Sequence, residues 1–214
     1  MMPTVAYPVS LTVVPDLGNR SRLTTAFRLI LALPHIILVG ISAGALWSAG
    51  SRSIFSVGGS TGILGAIITV LAVVSWFTIV LSGQHVQGIR EITLLVLRWR
   101  ARVIAYVMLL ADAYPPFGDG PYPVTLTVVD PPPDARDRLS VGLRLLLVIP
   151  HLIALFFITC FWWIITVIAW FAILITGRYP EGLAQPSIGA MRWALRVEAY
   201  LLLLVDEYPP FSFS

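Results

Sequence analysis

The chain is written twice. Residues 7–14 read YPVSLTVV and residues 122–129 read YPVTLTVV. A turn segment with Pro and Asp follows each, then Arg-x-Arg-Leu: Arg20, Arg22, Leu23 in one copy and Arg136, Arg138, Leu139 in the other. An apolar stretch broken by Pro-His comes next, at Pro34–His35 and Pro150–His151. Trp-Phe recurs at 76–77 and 170–171, a Gly-x4-Gly turn at Gly83–Gly88 and Gly177–Gly182, and Arg-Trp-x2-Arg-like segments at Arg98–Arg102 and Arg192–Arg196. Both copies close on Tyr-Pro-Pro-Phe, at 114–117 and 208–211. So many matches in one order define a tandem duplication. The reading is two membrane repeats, 1–120 and 121–214, the first carrying about 22 extra residues between its apolar runs.

What each copy can be is limited by its solvent. Hydrophobic residues make up 57% of the chain and charged residues 12%, about half the charged share of an ordinary soluble domain. Mean hydropathy is +0.87. A disordered chain, a coiled coil and a nucleic-acid tail are excluded, and an integral membrane protein is the class that fits. The net charge of +3 is carried by arginine alone, a composition that fits a bacterial source. In a membrane protein such a balance points to cytoplasmic loops, with no nucleic-acid partner. Cys160 lies in an apolar run and reads as a small hydrophobe. Residues 1–14 have neither a basic start nor an apolar run, so no signal peptide is expected there.

The motif set resembles a bacterial membrane protein family, domain of unknown function 4389. The resemblance rests on the Y-P-V-x-L-x-V start, the Pro-His helix, the W-F-x-I-L-x-T-G-x2-P-x-G-L turn and the R-W-x2-R-V-x-A-Y…D-E-Y-P-P-F ending. It covers nearly the whole chain as two copies. The second copy keeps Thr176, Gly177, Pro180, Gly182 and Glu207, where the first has Ser82, Gly83, Val86, Gly88 and Ala113. The family name implies no activity.

The expected fold is mainly α and integral to the membrane: a tandem repeat of helical hairpins giving four spans, with interfacial amphipathic helices and short cytoplasmic β-strands. Val9, Leu11, Val13 and Val124, Leu126, Val128 alternate with polar residues and predict strands over 7–14 and 122–129. A two-fold would pair them antiparallel. Leu23–Trp47 and Ile63–Leu81 predict two helices long enough to cross a bilayer, joined by a Gly/Ser-rich exterior loop, 41–62, without a counterpart in copy two. Leu139–Thr176 is an apolar run of 38 residues, about 57 Å as one helix and too long for one crossing. It predicts a hairpin turning near Thr159–Trp163, with Trp162 and Trp163 in the far interfacial belt. The rival is an interfacial helix up to Pro150 followed by one span. The hairpin places every arginine group except Arg52 on one side, a positive-inside pattern with both termini cytoplasmic and a multi-pass location in the bacterial inner membrane. The stretches 89–111 and 187–205 carry several arginines each and predict helices in the cytoplasmic interface, anchored by Trp99 and Trp193.

Two groups of residues are candidate sites. His35 and His151 are intramembrane polar groups that could bond a carbonyl freed by the proline kink, take a metal or haem, or serve proton or lipid chemistry. No ligand spacing supports a metal, and no cofactor is expected. Arg28, Arg144, Arg98, Arg102, Arg192 and Arg196 are candidates for anionic lipid head groups; the last four, two per helix at i, i+4, could instead pair with Asp112, Asp206 or Glu207. Tyr-Pro-Pro-Phe is read as a tail packing on the strands. No nucleophile–base pair or catalytic carboxylate pair is present, so a non-enzyme is expected. The leading function is a membrane scaffold or accessory subunit that binds lipid, a partner membrane protein or a second copy. The alternatives are a small transporter or channel, whose polar path would rest on Thr69, Ser75, Thr78 and Thr166, and a redox subunit holding haem or metal through His35 and His151.

Overall fold

A computed structural model describes residues 7–41, 62–131 and 137–214. The expected exterior loop, with Arg52, falls almost wholly outside them, as does Arg136. The element order is β1 (Val9–Val13), α1 (Arg22–Ala26), α2 (Arg28–Val39), α3 (Ile63–Ser82), α4 (Gln87–Val107), β2 (Val124–Val128), α5 (Arg138–Leu147), α6 (Ile149–Thr176) and α7 (Glu181–Leu201).

The repeats close on each other around a pseudo-two-fold axis. β1 and β2 pair antiparallel with Leu11 opposite Leu126 at the centre of the register. Val9, Leu11, Val124, Leu126 and Val128 are buried, while Ser10, Thr12, Thr125 and Thr127 are exposed, so the ribbon has one apolar and one polar face. Its apolar face packs on α4 and α7. Contacts across the repeats are reciprocal. Trp76 Nε1 donates to Val141 O at 3.0 Å, and its equivalent Trp170 donates to Thr25 O at 3.0 Å. Tyr7 OH donates to Glu207 O at 3.1 Å and Tyr122 OH to Ala113 O at 2.8 Å. The caps repeat too: Ser21 begins α1 and Asp137 begins α5, each accepting a backbone N–H of the first turn.

The second repeat differs from the expected hairpin. α6 runs unbroken through Thr159–Trp163. No glycine or proline lies between His151 and Thr176, so nothing frees backbone groups for a turn, and an unpaired turn in an apolar setting would be costly. Trp162, expected in an interfacial belt, is buried in the core at 2% exposure. The break comes earlier, at Val148, and Pro150 sits in the first turn of α6, where its missing N–H costs nothing. This order is that of the rival reading. In the first repeat the predicted helix Leu23–Trp47 is broken at Phe27 and stops at Gly40, whose φ of 69° ends α2. Gly62 lies against this end: a Cβ there would collide with the backbone of Val39 and Gly40. By the repeat alignment, α2 and α3 together correspond to the beginning and body of α6, interrupted by the insertion. Among the described residues two helices, α3 and α6, are long and apolar enough to cross a membrane, in place of the four spans expected.

α4 and α7 are not peripheral. Both are amphipathic, and from Val96 and Ser187 onward nearly every residue is buried. They form the centre of the fold, between the ribbon and the apolar helices. The outer helices show the inverse pattern. Every exposed residue of α2 is apolar, and so is every exposed residue of α3 before Ser82 and of α6 before Thr176. Phe157, Phe161, Ile164 and Phe171 are each more than half exposed. An unbroken apolar surface of this length needs a cover.

Gly83 and Gly177 end α3 and α6 in the left-handed region, at φ 78° and 73°. A side chain there is strained by about 1–2 kcal/mol. Gly177→Ala should lower stability by that amount, read from the thermal unfolding midpoint in micelles.

Candidate functional site

Three motifs that lie far apart in the sequence meet in one cage per repeat. His35 is fully buried. Its Nδ1 accepts from Trp99 Nε1 at 3.1 Å. Phe117 stacks on the ring at 4.2 Å between centroids, and Tyr114 lies tilted at 4.9 Å. The second repeat reproduces this: Trp193 Nε1 donates to His151 Nδ1 at 3.1 Å, with Phe211 at 3.9 Å and Tyr208 at 4.8 Å. An indole N–H can only donate, so Nδ1 carries a lone pair, and a neutral imidazole holds its proton on Nε2. Tyr-Pro-Pro-Phe is thus a lid on the histidine, and the tyrosines before each strand bond the residue that precedes it, Tyr7 to Glu207 O and Tyr122 to Ala113 O. Trp99 and Trp193, expected as interface anchors, are buried donors inside the cage.

The histidines do not serve the proline kink. The tyrosines of the lid bond carbonyls beside the prolines instead. Tyr114 OH donates to Leu31 O at 3.2 Å and Tyr208 OH to Leu147 O at 3.1 Å, each one residue beyond the carbonyl that the proline leaves without its helical donor. His35→Gln should be mild, because a side-chain carbonyl can still accept from Trp99. His35→Leu should cost about 1–3 kcal/mol by stranding the buried indole N–H. Trp99→Phe in the His35→Leu background should recover part of the loss. Unfolding titrations of the four proteins measure this; equal damage from Gln and Leu would show that the hydrogen bond is not what the cage needs.

A second constellation is built around arginine. Arg28 is buried; it donates to Tyr106 O at 3.0 Å and Ala111 O at 2.6 Å, pairs with Asp112, and lies over the Tyr106 ring at 4.4 Å. Arg144 does the same with Tyr200 O at 2.8 Å, Asp206 at 3.0 Å and the Tyr200 ring at 4.2 Å. Asp112 and Asp206, two of the three acidic partners expected for the i, i+4 arginines, are therefore taken by Arg28 and Arg144. Those four reach neighbouring segments instead. Arg98 donates to Leu126 O, Arg102 to Gly118 O and Asp119, Arg192 to Phe213 O and Arg196 to Ser214 O. Arg20 closes the turn after α4 by donating to Leu109 O at 2.8 Å; burial, with Arg28 close by, holds its guanidinium below the ordinary value.

Two grooves related by the pseudo-two-fold open beside these arginines. One, of about 290 Å³, lies between α3, α5 and α7 and is lined by Ile68, Ala72, Trp76, Leu201, Arg144 and the buried pair Arg100–Glu198. The other, about 180 Å³, lies between α6, α1, α2 and α4, with Arg28, Trp163, Thr166 and Trp170 in its wall. Only the first has the ion pair, because the repeat equivalents of Arg100 and Glu198 are Ala194 and Ile104. Arg100 is fully buried, and burial pushes its guanidinium down to about 10. Its Nε donates to Val39 O at 2.8 Å, while Nη2 is buried with no acceptor, as is Arg144 Nε. Sequence reasoning passed over Arg100 and Glu198. The feature that exposes them is a misfit between the copies: an acid and a base, each facing an apolar residue in the other repeat.

The fold and the site define a duplicated, mainly helical protein with an apolar exterior and a core of paired arginines. The chain belongs to the family described as domain of unknown function DUF4389, whose model matches residues 60–118 and 138–212, two copies that together cover more than half of the chain. Comparison with curated proteins and with solved structures returns no match.

Proposed function

We propose that this is a membrane-embedded, non-enzymatic scaffold that binds lipid in the groove between α3, α5 and α7. The observation that carries this reading is the groove itself. Its wall is almost entirely apolar, and the two arginines that line it, Arg100 and Arg144, each hold one buried guanidinium nitrogen, Nη2 and Nε, without an acceptor. A buried donor without a partner costs about 1–3 kcal/mol, and an oxygen acceptor entering the groove would remove that cost. The charges indicate which acceptor. Arg100 and Arg144 already face Glu198 and Asp206, so the site is balanced and suits a neutral ester or keto oxygen on a hydrocarbon chain better than a further anion. The exposed surface of α2, α3 and α6 supports a bilayer as the place where such a molecule is met. Among the described residues no group of three or more His, Cys, Asp or Glu is placed to hold a metal, and Nδ1 of each caged histidine is engaged by Trp99 or Trp193.

Photo-crosslinking tests the reading. A diazirine-bearing monoacylglycerol in proteoliposomes should label Ile68–Phe77 and Leu201–Leu203 several-fold more than a laurate probe of the same chain length. The double variant Arg100→Ala, Glu198→Ile makes the groove match its two-fold mate. It should lose that labelling while labelling at the exposed Phe157 persists. Preference for laurate, or undiminished labelling of the double variant, would refute a neutral-lipid site.

A further inference from the structure

We infer that the protein sits in one leaflet of the bilayer, with its long apolar helices lying close to the membrane plane, their outer faces against the hydrocarbon of that leaflet. The inference rests on the membrane reading above and goes beyond it, since α3 and α6 are long enough to cross. Three observations carry it. First, the β1–β2 ribbon must meet water. Among the described residues it has two strands, so neither outer edge is covered by a further strand, and Ser10, Thr12, Thr125 and Thr127 are exposed on its outer face. Such a ribbon is not tolerated at hydrocarbon depth.

Second, the pseudo-two-fold that exchanges antiparallel strands stands perpendicular to the ribbon. With the ribbon's polar face in water and α4 and α7 beneath it, this axis runs along the membrane normal, so equivalent residues of the two repeats share one depth. Third, contacts tie the start of each apolar stretch to the end of the other. Arg20 N donates to Gly177 O at 2.9 Å and Tyr179 N to Leu17 O at 3.0 Å, which places the entrance of α1 beside the exit of α6. In the mirror position Arg138 lies against Gly83, between the entrance of α5 and the exit of α3. The entrances and exits of both repeats therefore share one level.

The stretch α5–α6 leaves that level and returns to it. α6 is one continuous helix of 28 residues, about 42 Å long, and α5 is about 15 Å. α5 can descend by no more than its own length, so α6 climbs at most about 15 Å along its 42 Å and inclines by roughly 20° to the membrane plane. A crossing helix would need about 30 Å. A single layer of helices, about 10 Å thick, fits a half-core of about 15 Å. The arginines beside the entrances and exits then all lie on the ribbon side, and the apolar faces of α2, α3 and α6 all point the other way.

Spin labels at Ile153, Phe157, Ile164, Ile168 and Ile175 of α6, introduced one at a time as cysteines in a Cys160→Ser background in proteoliposomes, read immersion depth from oxygen and nickel-chelate accessibility. Depth should decrease steadily from Ile153 to Ile175. A maximum near Ile164 with both ends shallow is the profile of a crossing helix and overturns the inference. As a second measurement, Leu139→Cys and Arg178→Cys in spheroplasts should react with a membrane-impermeant maleimide together, both from outside or both only after permeabilisation. Labelling from opposite faces overturns it. Alkaline carbonate separates the two readings: release of the protein from membranes overturns the membrane reading and this one with it, whereas retention with opposite-face labelling overturns the one-leaflet placement alone.

Discussion

Arg100→Ala should destabilise the fold by about 3–5 kcal/mol, and adding Glu198→Ile should restore most of the loss. The single change leaves the Glu198 carboxylate among core residues of α4 and α7 with its guanidinium gone, and it strands Val39 O. An uncompensated buried charge is the costly state, and the second change removes it. The second repeat already carries out the exchange, with Ala194 and Ile104 at the equivalent positions. Denaturant titration in micelles of the wild type, both single variants and the double variant gives the coupling directly. A double variant as unstable as Arg100→Ala would mean that the pair is needed for folding, and the groove would lose its claim to be a site shaped for a ligand.

Arg144→Ala should cost a similar amount, about 3–5 kcal/mol, and Arg28→Ala should match it within about 1 kcal/mol, because the two guanidiniums make the same contacts. Each ties the apolar helix of its repeat to the turn after α4 or α7 through a carbonyl, a carboxylate and a tyrosine face. Lysine should recover only part of either loss. An ammonium keeps the charge toward Asp206 or Asp112 but lacks the planar fork that reaches the carbonyl and stacks on the ring at once. The same titrations decide the matter. A loss below about 1 kcal/mol would assign these arginines the small contribution of exposed ion pairs and leave their head groups available to lipid phosphate.

The duplication, the strands and the helical class were legible because each is local or periodic. Val9–Val13 and Val124–Val128 alternate with the period of a half-buried strand, and a two-fold on a repeated strand leaves antiparallel pairing as the simple solution. The apolar runs were legible as helices for the same reason, and among the described residues α3 and α6 are long and apolar enough to cross a membrane. Length alone misled where it stood in for geometry. The 38 residues from Leu139 were too many for one crossing, and a hairpin was inferred. The chain relieves the excess at Val148 by bending, with Arg138–Leu147 forming a separate helix, α5.

The amino-acid sequence by itself determined the repeat, the periodicities and the residues that must avoid water, since these depend on neighbours within a turn or a strand. Only the tertiary structure decided what the charged and polar residues do, because their partners are distant in the chain. Arg98–Arg102 and Arg192–Arg196 looked like surface charge on interfacial helices, yet α4 and α7 became the core once the ribbon and the apolar helices covered them. His35 looked like a kink companion until Trp99, 64 residues away, supplied the donor for its Nδ1. The pairing of Arg100 with Glu198 joins residues of opposite repeats, and no spacing within one copy predicts it. Burying such groups is tolerable only when each finds its partner, and which partner is within reach is a property of the packed fold.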